Sequence, residues 1–230
     1  MQDPGTPSVT PDQLYLYFPE EEQIRFQLPD SDKWVRLIFE GGTTFQAAEL
    51  TVIRELKKFA ITELQKKNSH LVPRLEKMND STLLRFYYDC DEDTDIAAEA
   101  LRDYLFTILK YEKLSSSIKT VNENILTSGA FYSFGRDNCL RPIIVFNFTK
   151  ILQITNKYKM ELYKEALYFF FDYIINNLMI PGQIENWVFI MDFGDTPVMS
   201  MGKLKDALQA IILVSRGNGT RLYKNYWINP

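Results

Sequence analysis

Hydrophobic positions change their period along this chain, and each change predicts a different element. Leu14-Tyr15-Leu16-Tyr17-Phe18, Gln23-Ile24-Arg25-Phe26-Gln27-Leu28 and Trp34-Val35-Arg36-Leu37-Ile38-Phe39 are short apolar or alternating runs. Pro19 and the Pro29-Asp30-Ser31-Asp32 cluster bound them as turns, so all three read as short strands. From about residue 46 the period is helical. Leu50, Ile53, Leu56, Phe59, Ala60 and Leu64 fall on one stripe, while Glu55, Lys57, Lys58, Lys66 and Lys67 face away. A second helix is predicted over about 81–89, capped by Asp80 or Ser81, and a third over about 95–110, where Ile96, Ala100, Leu101, Leu105 and Ile108 recur. Residues 115–138 mix Ser, Thr, Asn and Gly with apolar patches and read as a linker with at most a short helix.

Further on, β and α patterns alternate: strand 143–148, helix about 157–180, strand 187–193, helix about 202–215, strand 222–228. This βαβαβ order predicts right-handed crossovers and a largely parallel sheet. The predicted class is α/β, in three regions: a tail and short β-rich extension (1–45), a helical region (46–120) and an α/β region (121–230). The first dozen residues, with Pro4, Pro7 and Pro11, are predicted to be a mobile tail. Strands as short as those within 14–39 need a neighbour or a partner chain to dock on. The helix at 157–180 crowds Tyr158, Tyr163, Tyr168, Phe169, Phe170, Phe171 and Tyr173, too many aromatics for one buried stripe. Core packing on several sides is the simpler reading of that helix, and a pocket wall the alternative.

Composition narrows the classes. With 230 residues, 46% hydrophobic and 24% charged, the chain has the profile of a soluble globular protein. A net charge of −4 lacks the basic face that nucleic acid requires. Met1-Gln2-Asp3-Pro4-Gly5 has neither the basic end nor the apolar core of a secretory signal, and its acidic, Arg-free character argues against a mitochondrial presequence. The longest apolar region, Ala166 to Ile180, is shorter than the ~20 residues a bilayer needs and holds Asp172, Asn176 and Asn177. The expected setting is cytoplasmic, with at most peripheral membrane contact or membership of a large assembly. Cys90 and Cys139 are too few and too isolated for a disulfide framework or thiolate metal site, and are expected as reduced thiols. Asn79, Asn147 and Asn218 begin Asn-x-Ser/Thr sequences, none of which is expected to be glycosylated in that setting.

The catalytic inventory is poor. His70 is the sole histidine, and no serine or cysteine sits in a nucleophile-elbow frame. Gly41-Gly42 and Gly217-Asn218-Gly219 lack the spacing and the Lys-Ser/Thr of a phosphate loop; the second reads as a tight turn between helix and strand. The run Asp89-Cys90-Asp91-Glu92-Asp93-Thr94-Asp95 alternates carboxylates like a calcium loop. It has Thr94 where glycine turns the chain and Ala100 where a bidentate glutamate is required, so a solvated turn with Asp95 as helix cap is expected. No enzyme activity, metal or cofactor is expected.

Three stretches carry a family resemblance. Gly135-Arg136-Asp137-Asn138-Cys139-Leu140-Arg141-Pro142, running into Ile143-Ile144-Val145-Phe146-Asn147, resembles the "G-R-D-x-x-G-R-P-V" lead-in of the CRAL-TRIO lipid-binding domain. That family includes the yeast phosphatidylinositol/phosphatidylcholine transfer proteins. Upstream, Asp80-Ser81-Thr82-Leu83-Leu84-Arg85-Phe86 with Ile96, Ala97, Ala100 and Leu101 is similar to its helical signature. Downstream, Glu185 to Gly194 resembles its "E-x-x-x-x-I-x-D-L-x-G" strand, and Arg221 to Asn229 its "R-x-x-x-x-Y-I-I-N" strand. Together these span roughly 47–230. There are departures. Leu140 stands for the turn glycine, and the acidic run stands for a basic "R-A-R-K" segment, which weakens attraction to anionic lipid. Gln209 aligns with a glutamate of phosphoinositide-binding members, whose lysine partner falls beyond residue 230, as do the gate helix and far pocket wall.

The resemblance implies a non-enzymatic protein sequestering a phospholipid or other hydrophobic ligand, with Tyr132, Phe134, Phe146, Phe148, Phe189, Met191, Gln209 and Ile212 as expected lining residues. The alternative is an adaptor subunit that keeps the scaffold and binds protein partners through Tyr15, Tyr17, Phe18, Phe26, Trp34, Tyr226 and Trp227.

Overall fold

The computed structural model describes residues 11–28, 30–31, 33–115, 123–194, 201–219 and 221–229. The expected mobile tail at 1–12 lies almost wholly outside the described residues, as do residues 116–122 of the expected linker. Along the chain run α1 (Pro11–Tyr15), α2 (Glu21–Ile24), β1 (Arg25–Gln27), β2 (Trp34–Arg36), α3 (Ala47–Lys67), a 3-10 turn (Ser69–Leu71), α4 (Val72–Glu76), α5 (Asp80–Asp89), α6 (Thr94–Ser115) and α7 (Glu123–Leu126). Then come β3 (Phe131–Arg136), β4 (Pro142–Asn147), α8 (Phe148–Lys157), α9 (Met160–Leu178), β5 (Trp187–Asp192), α10 (Met201–Arg216) and β6 (Leu222–Ile228). The result is a mixed α/β protein with a mostly parallel sheet.

The helices follow their apolar stripes. α3 buries Ile53, Leu56, Ala60 and Leu64, and its first turn is closed reciprocally by Gln46 and Glu49. α5 is capped by Asn79, whose side chain accepts from Thr82 N at 2.7 Å, not by Asp80 or Ser81. Ser81 instead donates to the Phe39 carbonyl at 2.8 Å. The acidic run turns through Asp91 and Glu92, both at positive φ, and Asp93 rather than Asp95 caps α6 by accepting from Ile96 N at 2.9 Å. These helices enclose one apolar core around Phe39, Leu56, Leu71, Leu83 and Leu101.

The sheet has the order β3-β4-β5-β6. β4 to β5 and β5 to β6 pair parallel, as the βαβαβ pattern predicts, with Ile144 beside Phe189 and Ile190 beside Tyr226. A second core lies between this sheet and α8, α9 and α10, built on Phe146, Phe148, Tyr163, Phe171, Trp187, Phe189 and Ile211. Phe171 sits 4.9 Å from the Trp187 ring, and of the crowded aromatics of α9 Tyr163 and Phe171 are buried in the core, Tyr168 and Phe170 pack against it, and Tyr173 is half exposed.

Four local expectations are corrected. Residues 14–18 form no strand: α1 ends at Tyr15, and Tyr17 N closes a turn on the Leu14 carbonyl at 3.4 Å. The Gln23 side chain accepts from Glu20 N at 2.9 Å and winds 21–24 into a helical turn, so the second strand starts only at Arg25. β2 stops at Arg36, because Leu37, Ile38 and Phe39 leave the hairpin to become buried core. Within the expected linker, 131–136 forms β3, antiparallel to β4. The helix expected at about 157–180 is α9, Met160–Leu178, and an unforeseen helix, α8, fills the stretch between it and β4. Asn147 caps α8 by accepting from Lys150 N at 3.0 Å, and extended Tyr158 separates α8 from α9.

Candidate functional site

Strand alternation sorts the sheet residues onto two faces. Phe131, Ile144, Phe146, Trp187, Phe189 and Met191 point into the core beneath α8–α10. Tyr132, Ile143, Val145, Val188, Ile190, Tyr226 and Ile228 take the opposite face, as their pairing shows: Tyr132 with Val145, Ile143 with Val188, Val145 with Ile190, Ile190 with Tyr226. Apart from Lys224, beside Val188, and Asn147 and Asp192 at its end, this outward face is apolar too. Val145 and Val188 are nearly buried within it, whereas Tyr132, Phe134, Tyr226 and Ile228 are 41%, 58%, 51% and 42% exposed. A sheet built from parallel strands has both faces covered as a rule, so an apolar outward face is a surface that takes a partner or a ligand. At its C-terminal end the stripe meets a polar rim. Asp192 accepts from Asn229 Nδ2 at 2.9 Å and from Gly194 N at 3.1 Å, with the Asn147 amide at 3.5 Å.

At the other end of the strands, a buried ionic junction fixes the sheet to the helical region. Glu185 is 1% exposed and accepts from Phe39 N (2.8 Å), Glu40 N (2.8 Å), Gly182 N (2.7 Å) and Arg85 Nη2 (2.5 Å). Glu40 receives Arg85 and Arg221 at 3.3 and 3.2 Å, and Arg221 also donates to the Glu185 carbonyl at 3.1 Å. The central carbon of the Arg85 guanidinium sits over the Phe39 ring, 4.4 Å from its centre. Burial pulls the Arg221 guanidinium down to about 10, with neighbouring Arg85 adding to the shift and Glu40 and Glu185 opposing it. The backbone is as tight as the charges: Gly41 and Gly182 both take positive φ and cross so closely that a Cβ on Gly41 would lie 2.4 Å from the Gly182 Cα. A cleft of about 190 Å³ opens beside Glu40, Asn176, Met179 and Arg221.

The hairpin between β3 and β4 is organised by Asp137. Its Oδ1 accepts from Cys139 N at 3.0 Å and Arg141 N at 2.8 Å, and Leu140 sits at φ 59°, the left-handed region. That is the position at which the resembling motif carries glycine. Arg141 then stacks on Tyr223, 3.5 Å from the ring centre.

The expected lining residues are divided by the structure. Tyr132 and Phe134 lie on the outward face, Phe146, Phe189 and Met191 on the core face, and Phe148 inside the core against Phe193. Gln209 and Ile212 are exposed on α10, across the sheet from Tyr132. The residues sequence reasoning missed are Ile143, Val145, Val188, Ile190 and Ile228, which period-two alternation assigns once one core-facing residue is known. The expected partner contacts also separate. Tyr15 and Phe18 are 67% and 73% exposed, and Tyr17 abuts Gln23 near Arg141, at the N-terminal end of the strands. Phe26 faces Val35 in the small hairpin, with Trp34 stacked by Arg25. Tyr226 and Trp227 stand on β6, near its C-terminal end.

A family model described as the CRAL/TRIO domain matches residues 126–230. The chain carries a CRAL/TRIO domain there. The matched span holds the whole four-stranded sheet with α8, α9 and α10, and such a domain points to a lipid or other hydrophobic ligand. CRAL/TRIO proteins are generally ligand-binding or transfer proteins rather than enzymes. The helical region around Asp80–Phe86 lies outside the matched residues. No curated protein matches the sequence. His70 is exposed and rests against Phe106, and the described residues hold no cluster of His, Cys, Asp and Glu suited to a metal ion. Among the described residues no helix is long and apolar enough to cross a membrane.

Proposed function

We propose that this protein binds a phospholipid or similar amphiphile on the outward face of its CRAL/TRIO sheet and carries it between membranes without altering it. The supporting observation is the apolar stripe from Tyr132 through Val145, Val188 and Ile190 to Tyr226 and Ile228. It offers acyl chains a surface to leave water on, while the Asp192–Asn229 rim at its end suits a polar group. The chain acts at membrane surfaces from the cytoplasm, and the helical region 46–120 serves as the domain's N-terminal companion, locked on through Arg85 and Glu185.

The test is lipid capture. Purified protein is incubated with vesicles of phosphatidylcholine and phosphatidylinositol, re-isolated, and its bound lipid extracted for mass spectrometry. The expected result is near-stoichiometric lipid on the wild type and little on a Tyr132→Asp/Ile228→Asp double variant, whose altered side chains are 41% and 42% exposed and so spare the core. Wild-type protein that emerges empty overturns the reading.

A second reading, an adaptor within a larger assembly, draws on a separate observation. Tyr15, Leu16 and Phe18 are exposed at 67%, 74% and 73%, an apolar cluster of the kind that a protein partner covers. Alanine at all three abolishing co-purification of a partner, with lipid capture intact, would favour it.

A further inference from the structure

Charge is unevenly spread along this chain. Between Ala47 and Lys77, seven Lys and Arg stand against four Glu, a net of +3, so the other residues sum to −7 in a chain of net −4. The structure gathers that excess on one face. α3 buries Ile53, Leu56, Ala60 and Leu64, and 3.6 residues per turn puts Arg54, Lys58, Ile61 and Gln65 in a second line along the helix. Arg54, Lys58 and Gln65 are exposed there. Lys57 stands beside the line and donates to the Met78 carbonyl at 3.4 Å, which brings the end of α4 and its exposed Lys77 alongside. Two of the four glutamates are already matched: Glu49 is buried with both oxygens on Arg36 at 2.9 Å, and Glu63 pairs with Lys66 at 2.5 Å. Glu55 lies about 100° round the helix from Arg54, on the side of Tyr87 and the acidic turn. Arg54, Lys57, Lys58 and Lys77 pair with no carboxylate among the described residues.

We propose that this face, with α3 lying flat, docks the protein on the surface of an anionic bilayer. Its chemistry selects that partner. The line from Arg54 to Gln65 runs about 16 Å and carries no aromatic ring. It therefore has neither the stacking platform of a single-stranded nucleic-acid site nor the aromatic anchors of a protein interface. The apolar side of α3 is spent in the helical core, so no side chain is left to insert among acyl chains. What remains is diffuse attraction between unpaired cations and a plane of negative headgroups, which salt screens. Each such cation near an anionic surface is worth about fivefold in binding. The four unpaired cations outnumber Glu55 and Glu76, the two glutamates left to oppose them, so docking is strong at low salt and weak at high salt.

The inference rests on the reading that the protein serves membranes, and its test reads docking apart from lipid capture. Co-sedimentation is run on the full chain with vesicles of phosphatidylcholine alone or with about 30% phosphatidylserine, at about 50 and about 500 mM salt. Wild type is expected to bind the anionic vesicles at least about tenfold more tightly than the neutral ones at low salt, and to lose that preference at high salt. Arg54→Glu/Lys58→Glu, both exposed and off the buried stripe, is expected to remove the preference. Lys159→Glu/Lys205→Glu makes the same change in net charge at exposed sites of the CRAL/TRIO domain and is expected to alter binding by less than about threefold. Circular dichroism confirms folding. Should the glutamates unfold α3, the neutral pair Arg54→Gln/Lys58→Gln decides, with binding expected to weaken at least about fivefold. Wild type without a preference for anionic vesicles overturns the proposal, and so does equal loss in the two charge-reversed pairs. Tighter binding to a single-stranded RNA oligomer than to the anionic vesicles, at equal salt, overturns it as well. Lipid capture read on the same samples separates the two readings: docking without captured lipid leaves this inference and removes carriage, and captured lipid without docking does the opposite.

Discussion

Replacing Glu185 by Gln changes one atom's chemistry and should cost more stability than almost any surface change in the protein. The carboxylate accepts two bonds on each oxygen: Glu40 N and Gly182 N on Oε1, Phe39 N and Arg85 on Oε2. An amide keeps one acceptor oxygen, so whichever way it turns, its NH₂ group meets two donors. Each buried donor left unpaired costs about 1–3 kcal/mol. The loss of charge adds to this, because Arg85 is 2% exposed and keeps as its carboxylate partner only Glu40, at 3.3 Å. Breaking a buried pair from one side costs about 3–5 kcal/mol, and about 4 kcal/mol is the expected total. That is a large part of the ~5–15 kcal/mol by which domains are stable. Glu40→Gln is the internal comparison: Glu40's side chain is 27% exposed, so water replaces what the substitution removes and about 1 kcal/mol or less is expected. Urea unfolding measures both, and amide exchange at Phe39, Glu40 and Gly182 should accelerate in the Glu185 variant. A loss below about 1 kcal/mol for Glu185→Gln, or equal losses for the two, refutes the reasoning.

Two further outcomes follow from local geometry. Gly219 sits at φ +69° with the Arg85 chain so near that an added Cβ would stand 2.4 Å from Cδ, so Gly219→Ala is expected to destabilise by about 2 kcal/mol in the same urea assay; an unchanged midpoint would exclude that contact. The Tyr88 hydroxyl, pushed up to about 12 by burial and then by Glu49, whose carboxylate it meets at 3.1 Å, stabilises the fold while neutral. Its contribution is complete below the ordinary phenol value near 10 and is lost as pH rises through about 12. Tyr88→Phe should therefore lose less stability between pH 8 and pH 11 than wild type does; equal losses would remove Tyr88 as the cause.

The parts of the fold legible in the sequence were those where one physical signal dominated. The parallel strands at 143, 187 and 222 announce themselves as apolar runs after turn residues, and α3 by its stripe of Ile53, Leu56, Ala60 and Leu64. What stayed hidden depended on contacts distant in sequence. Phe131-Tyr132-Ser133-Phe134 is a strand because β4 is there to pair with it, and α8 begins where Asn147 turns its side chain into a cap. Strands were overread at 14–18 because alternating Leu and Tyr carry no record of whether a partner strand exists. Phe146 is legible as a strand residue and Tyr132 is not, and nothing local tells which face either takes: the two belong to opposite sides of one sheet. Leu140 is the most informative departure, since the hairpin imposes a left-handed residue there whether or not the sequence supplies glycine.

The ionic junction also sets an order of assembly. Phe39 and Glu185 are 146 residues apart along the chain, Arg85 and Glu185 100, and Glu40 and Arg221 181. The two apolar cores, by contrast, are each built from a continuous half of the sequence, residues 39–105 and 125–214. Each half can collapse on nearby contacts, while the junction must wait for the longest loops to close and for several charges to leave water together. It is therefore a late event in folding, and substitutions there should appear chiefly as faster unfolding, with the refolding rate little changed.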